Sequence, residues 1–485
     1  MRTEAGAAAP RQINGGRDRG RTLLLAGIAV SAVALGGYLA AIATHPRDAM
    51  LKAFDLGVYL QGGLLARHSP GTLYTWHQAG HPGIMFTYTP FAAMVFAVLS
   101  FVSLRALEDV AVVVSIAALV TTLWIAFREL GVAERRTRWG ATLLLAGVCL
   151  WLEPVQRALF LGQIELVLMV LVVWDMCQPD RRRLKGAGVG LAAAIKLVPL
   201  IFIVYLVLTR RFRAAAVAIG VFAVTIVAGF IALPHASVYW WLHGNFFQAG
   251  RTGFVGVGSN QSLRGTLTRF IGSVNSGEPA WLAVGVVIGL LGLAAAVLLH
   301  RAGRTFEGLM TCALTGLLIS PISWDHHWVW IAPGLAVLAI AGVRARDPLT
   351  RAAWFGAAVL VALVFGAWPQ FWMRGAGLLQ GGLIWYAPTS SWPHGDNPGY
   401  FEYHWHGLQL IAGNLFLLAG CLLFLGALAA AWAVRVRRAP ARQLPADVQP
   451  VSYRRTYRLP MPRIQPVGGT ICLNSSVNAL GGPQT

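Results

Sequence analysis

Apolar runs close to twenty residues long recur along the whole chain, and nothing else in it restricts its folding as strongly. Clear ones lie at about 22–44, 108–127, 213–233, 281–299, 328–343, 352–368 and 407–434, with shorter or broken ones between. A helix needs about twenty apolar residues to cross the roughly 30 Å of bilayer hydrocarbon. Only 12% of the residues are charged and 56% are hydrophobic, against about 25% charged in an average soluble domain. The chain reads as an all-α polytopic membrane protein with about ten to twelve spans.

A net charge of +20 would suit nucleic acid, but the arginines sit in short loops between apolar runs and in the C-terminal tail. That is the positive-inside pattern, so the charge reports topology. Arg11, Arg17, Arg19 and Arg21 precede a first run that is too long for a signal peptide and has no small-residue cleavage site. Residues 1–21 therefore read as a basic cytoplasmic leader, 22–436 as the membrane domain, and 437–485 as a disordered basic cytoplasmic tail near anionic headgroups. Asn474-Ser475-Ser476 in that tail fits a glycosylation sequon by accident. Cys149, Cys177, Cys312, Cys421 and Cys472 show no pairing or metal-type spacing.

Placing the Arg-rich loops inside assigns Thr209 to Arg213, His300 to Arg304 and Arg344 to Arg351 to the cytoplasm. Loops near 45–85, 234–280, 320–327 and 369–406, rich in Trp, Tyr, His, Gly and Pro, then face outside. Two further basic loops, Arg128 to Arg138 and Arg181 to Lys185, break the alternation if every apolar run from 86 to 208 crosses. Half-inserted segments near 86–103 and 187–199, where Pro90 and Pro199 each remove a backbone donor, repair it. Glu153, Gln156, Arg157, Gln163 and Glu165 then come to the outer face, and Lys196 approaches a cavity.

Several polar groups on that face ask for a reason. Asp55, in Phe54-Asp55-Leu56-Gly57-Val58-Tyr59, is a simple helix cap if taken alone. Its loop also carries Tyr74, His77, His81 and Phe86-Thr87-Tyr88-Thr89-Pro90, however, which puts carboxylate, phenol and imidazole together. Lys196 is one of three lysines, with Lys52 and Lys185; it either snorkels or pairs with an anion such as a lipid phosphate. Ser259-Asn260-Gln261-Ser262-Leu263-Arg264 offers amides suited to sugar hydroxyls and a guanidinium suited to phosphate. In Trp324-Asp325-His326-His327, adjacent histidines diverge by about 100° on a helix, unlike the i, i+4 zinc spacing. A carboxylate orienting one imidazole, with the second free to meet an anion, fits better. An aromatic belt explains the tryptophans there but not the Asp-His-His; for His404 and His406 the belt suffices.

No P-loop and no Gly-rich nucleotide fingerprint is present, so a soluble nucleotide-sugar donor is not indicated. A lipid-linked donor fits the outer face. A departing phosphate, with a second pKa of about 6, needs less acid assistance than the alcohol released in glycoside hydrolysis, which uses two carboxyl groups. One base and a set of cations suffice.

Asp55-Leu56-Gly57-Val58-Tyr59, Phe86-Thr87-Tyr88-Thr89-Pro90-Phe91-Ala92-Ala93, Gly162-Gln163, Ala194-Ile195-Lys196-Leu197-Val198-Pro199, Asn260-Gln261-Ser262-Leu263-Arg264-Gly265 and Ser320-Pro321-Ile322-Ser323-Trp324-Asp325-His326-His327 resemble the successive motifs of the bacterial polyprenyl-phosphate-mannose-dependent α-mannosyltransferases. These are GT-C enzymes, in the family that includes the phosphatidylinositol-mannoside mannosyltransferases. The resemblance runs from about residue 54 to 330. It implies a multi-helical GT-C fold and polyprenyl-phosphate mannose as donor. It also implies an inverting single displacement, with Asp55 as the base.

His326 and His327 are expected beside it in catalysis. Tyr59, Tyr88, Gln163, Lys196, Asn260, Gln261, Arg264, Trp324 and Asp325 are expected to bind donor and acceptor. No metal and no separate cofactor is expected. The acceptor is expected to be a mannosylated glycolipid, joined through an α-1,2 linkage, and the partners membrane lipids rather than nucleic acid. The site is expected on the extracytoplasmic side of a bacterial plasma membrane, with both termini inside. The rivals are an arabinofuranosyltransferase using prenyl-phosphate arabinose and a transporter or flippase for lipid-linked sugar. The latter calls for midplane polar residues and internal symmetry; no repeat is visible, and the polar motifs gather on one face.

Overall fold

The computed structural model describes residues 17–44, 51, 53–77, 85–248, 251, 253–368, 381–390 and 399–438. The expected tail beyond 438, His81, Lys52 and Cys472 lie outside the described residues, as does the leader through residue 16. The described helices longer than two turns are α1 (Arg17–Thr44), α2 (Phe54–His68), α3 (Pro90–Leu99), α4 (Leu104–Glu129), α5 (Arg135–Cys149), α6 (Glu153–Leu161), α7 (Glu165–Met176) and α8 (Ala187–Ile195). They continue with α9 (Leu200–Leu208), α10 (Phe212–Ala232), α11 (Leu263–Ile271), α12 (Val274–Arg301), α13 (Thr305–Ile319), α14 (Ile331–Arg344), α15 (Pro348–Val364) and α16 (Leu415–Arg438). No strand occurs among the described residues, only the isolated bridges Leu152–Gly366 and Asn260–Trp324. The chain is an all-α polytopic membrane protein.

Six described helices are long and apolar enough to cross a membrane, and a seventh span results if the bent pair α6 and α7 counts as one. The higher number expected from the apolar runs is made up by shorter pieces, since α3, α13 and α15 are apolar but only 10 to 17 residues long. Helix α1 starts at Arg17, taking the end of the expected leader into its first turns.

The basic loops meet on one face. The guanidinium of Arg213 donates to the carbonyls of Asp180 and Arg182, and Lys185 Nζ lies 2.7 Å from the Asp180 carboxylate. Arg344 donates to the Leu130 carbonyl, which brings the loop after α4 to the end of α14. The chain from 187 to 208 therefore leaves this face and returns to it. Nine residues at about 1.5 Å each reach only half-way through the hydrocarbon, so α8 and α9 form a re-entrant pair. Lys196 breaks it with extended backbone, and Pro199 follows.

Irregular backbone at such depth must be satisfied by protein. The Thr89 hydroxyl donates to the Ala194 carbonyl at the end of α8, while the buried Asp175 carboxylate accepts from Gly186 N at 2.9 Å and Val189 N at 3.0 Å at its start. Gly190 lets α8 lie directly on α10, since a Cβ there would come within 2.5 Å of the Ala218 carbonyl oxygen.

At the opposite end, α6 and α7 meet at 116°. The bend rests on Gly162, whose φ of +67° caps α6 in the left-handed region that favours glycine. It delivers Gln163 and Glu165 to the same end of the bundle as the start of α2, the tip of the α8–α9 excursion and the loop before α14.

Candidate active site

These elements enclose a cavity of about 1040 Å³. One part of its wall is apolar, with Phe54, Phe160, Leu197, Ile201, Leu282 and Ile319. The rest carries one prominent carboxylate, Asp55, among Lys196, Arg157, Arg251, Arg264, His326 and His327.

Asp55 lies in the first turn of α2, where helix N-termini favour anions. The preceding Ala53 takes a left-handed conformation (φ 44°, ψ 34°), and its N–H donates to the Phe160 carbonyl at 2.9 Å. Such a conformation costs a non-glycine residue about 1–2 kcal/mol, and here it turns Asp55 into the cavity. Asp55 is enclosed by protein except where it meets the cavity. This burial raises its carboxyl above the ordinary aspartate value, His326 and a hydrogen bond from Gln163 pull it back, Glu165 raises it, and Lys196 lowers it. Tyr59 Oη donates to Gln163 Oε1 at 2.6 Å and lies 2.8 Å from Tyr88 Oη.

The Lys196 ammonium is hydrogen-bonded to Glu165 and lies 3.0 Å from His327 Nε2. The same His327 nitrogen is 3.3 Å from Glu165 Oε1. Glu165, His326 and His327 bring ligand atoms within 4.8 Å of one another, a spacing compatible with a metal ion. Lys196 Nζ already supplies a cation between Glu165 and His327, and the group is an ion-paired cluster.

Asp325 accepts from His326 N at 2.8 Å, with His326 Nδ1 at 3.0 Å, through its Oδ1. The expected orientation of one imidazole by the neighbouring carboxylate is therefore present. The two imidazole rings stand nearly perpendicular, 4.7 Å apart. Arg264 reaches the cavity from α11, 3.2 Å from Glu278 and 5.1 Å over the Trp281 ring.

Of the expected site residues, Asp55, Tyr88, Gln163, Lys196, Arg264, Trp324, Asp325, His326 and His327 line the cavity. Tyr59 stands behind Gln163 and Tyr88. Asn260 and Gln261 correct the expectation that their amides meet sugar hydroxyls: both are fully buried. Asn260 Nδ2 donates to the Val255 carbonyl at 2.8 Å, and its Oδ1 accepts from Ser323 N at 3.0 Å. Gln261 Nε2 donates to the Gly258 and Gly413 carbonyls at 2.6 and 2.7 Å, and its Oε1 accepts from Phe416 N at 3.2 Å. They are wanted by a loop with unpaired backbone, which they pin beside Ser323 so that Ser259 and Arg264 face inward.

Gln261→Leu is accordingly expected to lower stability by about 2–4 kcal/mol, since it strands three buried backbone groups. Thermal melting of the solubilised protein checks this. The belt explanation also fails for Trp328, which is wholly buried against Phe365 and Phe416. His404 and His406 are exposed and do not reach the cavity.

Sequence reasoning did not single out Arg251, Trp240, Trp281 or Glu278 as lining residues, and left Arg157 and Glu165 in the background. Arg251 donates to the Tyr74 carbonyl at 2.6 Å and lies 5.8 and 5.9 Å from the Tyr74 and Tyr239 ring centroids. Its isolation in an Arg-poor outer loop was the available signal.

The model of glycosyltransferase family 87 matches residues 86–321. A polyprenol-phosphate-mannose-dependent alpha-(1-2)-phosphatidylinositol pentamannoside mannosyltransferase of Mycobacterium tuberculosis is 35% identical over 347 residues, 69% of this chain and 79% of its own. The chain belongs to glycosyltransferase family 87. A polyprenol-phosphate-mannose-dependent alpha-(1-2)-phosphatidylinositol mannoside mannosyltransferase of Mycolicibacterium smegmatis is 32% identical over 337 residues, 65% of this chain and 74% of that one. No solved structure matches the chain. The family 87 segment contains Tyr88, Gln163, Lys196 and Arg264, while Asp55 and Asp325-His326-His327 lie outside it and join the cavity through the fold. As a member of glycosyltransferase family 87, the protein is a glycosyltransferase.

Proposed function

We propose that the protein transfers mannose from polyprenyl-phosphate mannose to a mannosylated phosphatidylinositol or related lipoglycan, forming an α-1,2 linkage with inversion at the anomeric carbon. The observation that carries this is the Asp55 carboxylate, set among cations in a cavity whose other wall is apolar. Asp55 takes the proton of the acceptor hydroxyl as the new C1–O bond forms. The bond from C1 to the phosphate oxygen breaks, and the electron pair leaves with the polyprenyl phosphate. Lys196, Arg264, and His326 or His327 hold that phosphate; charge developing on it is stabilised by donors already in place. The apolar wall receives the first isoprene units. No cofactor enters this scheme.

The basic face, where Arg213, Lys185 and Arg344 gather, lies inside by the positive-inside rule, so the chamber opens to the extracytoplasmic side of a plasma membrane. The membrane domain carries the whole activity, with leader and tail as cytoplasmic appendages.

The test is transfer by the purified, reconstituted protein, with polyprenyl-phosphate mannose and prenyl-phosphate arabinose offered in parallel. Mannose is expected in a product that an α-1,2-mannosidase removes. Transfer of arabinose alone would replace the donor, and transfer of neither to any phosphatidylinositol mannoside would sink the reading.

A further inference from the structure

Two buried carboxyl groups, Asp325 on the cavity wall and Glu153 behind it, have no part in the transfer described above. Glu153, the first residue of α6, is wholly enclosed. Its Oε1 accepts from Trp385 Nε1 at 2.9 Å. Gly382 packs against its stem, for a Cβ there would lie 2.9 Å from Glu153 Cγ. Glu153 Oε2 has no donor, and neither has Oδ2 of Asp325, whose neighbouring cation, Arg157 Nε, stands 3.5 Å away. Arg157 lies one turn along α6 from Glu153, so its approach to Asp325 brings the two carboxyl groups into direct electrostatic interaction. Two ionised carboxylates repel strongly in an enclosed site, whereas one proton between them turns two orphaned acceptors into a hydrogen bond. The other Asp325 oxygen holds His326 through its N–H and Nδ1. His326 Nε2, buried without a partner, is then the ring atom left for a ligand in the cavity that His326 lines.

We propose that Glu153 is a positioning residue for transfer: anchored by Trp385, it shares a proton with Asp325 and so fixes the carboxylate that aims His326 at the reacting groups. The inference rests on the reading of the cavity as a mannosyl-transfer site. Glu153 needs an acceptor toward Trp385 and a donor toward Asp325, and a neutral carboxylic acid supplies both. An ionised Glu153 would supply only the first and would turn Asp325 from His326. Arg157, against Asp325 Oδ2, and the Phe160 and Trp385 rings flanking that guanidinium complete the surroundings.

The experiment compares Glu153→Gln, Glu153→Ala, Asp325→Asn and the Glu153→Ala/Asp325→Asn pair with wild type, at matched melting temperature. Glutamine keeps both hydrogen bonds, so its turnover is expected within about threefold of wild type. Alanine is expected to lose about 10-fold to 100-fold, the usual scale when a partner orienting a functional histidine is removed. Adding Glu153→Ala to Asp325→Asn is expected to cost nothing more, because the two act through one path.

A glutamine variant as inactive as alanine would mean that negative charge opposite Arg157 is what matters, and would overturn the proposal. So would an alanine variant with wild-type turnover. If alanine does not fold, Glu153→Leu, which fills the space without either hydrogen bond, takes its place with the same expected loss. Nitrogen NMR of the labelled His326 ring gives a second readout that needs no turnover: the Nδ1–H signal bonded to Asp325 is expected to persist in Glu153→Gln and broaden or shift in Glu153→Ala. Wild type that transfers no mannose yet shows this pattern would refute the donor reading while leaving the positioning role intact.

Discussion

Replacing Asp55 with Asn is expected to lower mannosyl transfer by about 10²-fold or more at unchanged folded yield, the scale of a lost general base. Asn keeps the shape of the side chain and its contact with Gln163 but takes no proton. The variant should be no less stable than wild type. Burial raises the folded carboxyl above its ordinary value, so Asp55 contributes stability that is complete below the unfolded carboxyl range and lost as pH climbs through the raised value. At neutral pH the ionised group is a burden that Asn lacks.

The same shift fixes the sign of the pH profile. A base works when deprotonated, so turnover should rise with pH through the raised value, placing the acid limb above the ordinary aspartate range of about 3.9. That limb should vanish from the residual activity of Asp55→Asn. Retained activity with an unmoved limb would transfer the role to Asp325, also on the wall, or to Glu165 close behind it.

The elements of the fold that follow from hydrophobic length were legible in the residues. The long apolar runs became α1, α4, α10, α12 and α16, because backbone in lipid has few alternatives. The half-inserted segment near 187–199 was also legible, since Arg181 to Lys185 and Thr209 to Arg213 sit too close along the chain for an intervening pair of crossings, and the structure bonds these two stretches to each other. Asp55, Lys196 and His327 declared themselves by being charged or imidazole groups in apolar company.

The jobs of Asn260 and Gln261 were not legible. An amide has the same donors and acceptor whether it meets a sugar or a strained loop, and only the carbonyls of Gly258, Gly413 and Pro321 closing on it decide the matter. Arg269 shows the same limit. It is fully buried and donates to the Val257 and Asn260 carbonyls and to Asn414 Oδ1 at 2.6–3.0 Å, yet in the sequence it is one more basic residue. Glu153 was grouped with the other polar residues of that stretch, but its approach to Asp325 joins positions too far apart in sequence for any local pattern to register.

Lys196→Met is expected to act twice, and a second substitution separates the two effects. Methionine keeps the apolar stem but removes the ammonium from Glu165 and His327, leaving a carboxylate largely enclosed without its cation. Breaking a buried pair from one side costs about 3–5 kcal/mol. Lys196 keeps a fifth of its side-chain surface open, and water there shrinks the expected loss to about 2–3 kcal/mol. Turnover should fall further, by about 10²-fold to 10³-fold, the range for a donor that meets charge developing in the transition state.

Glu165→Gln in the same chain removes the stranded charge. The double variant should therefore melt near wild type while transferring mannose no faster than Lys196→Met alone. Were the lysine merely the counter-ion of Glu165, relieving the carboxylate would restore turnover together with stability. Stability returning without turnover would instead place the ammonium's main work on the departing phosphate, with Glu165 serving to hold it at the tip of the re-entrant pair.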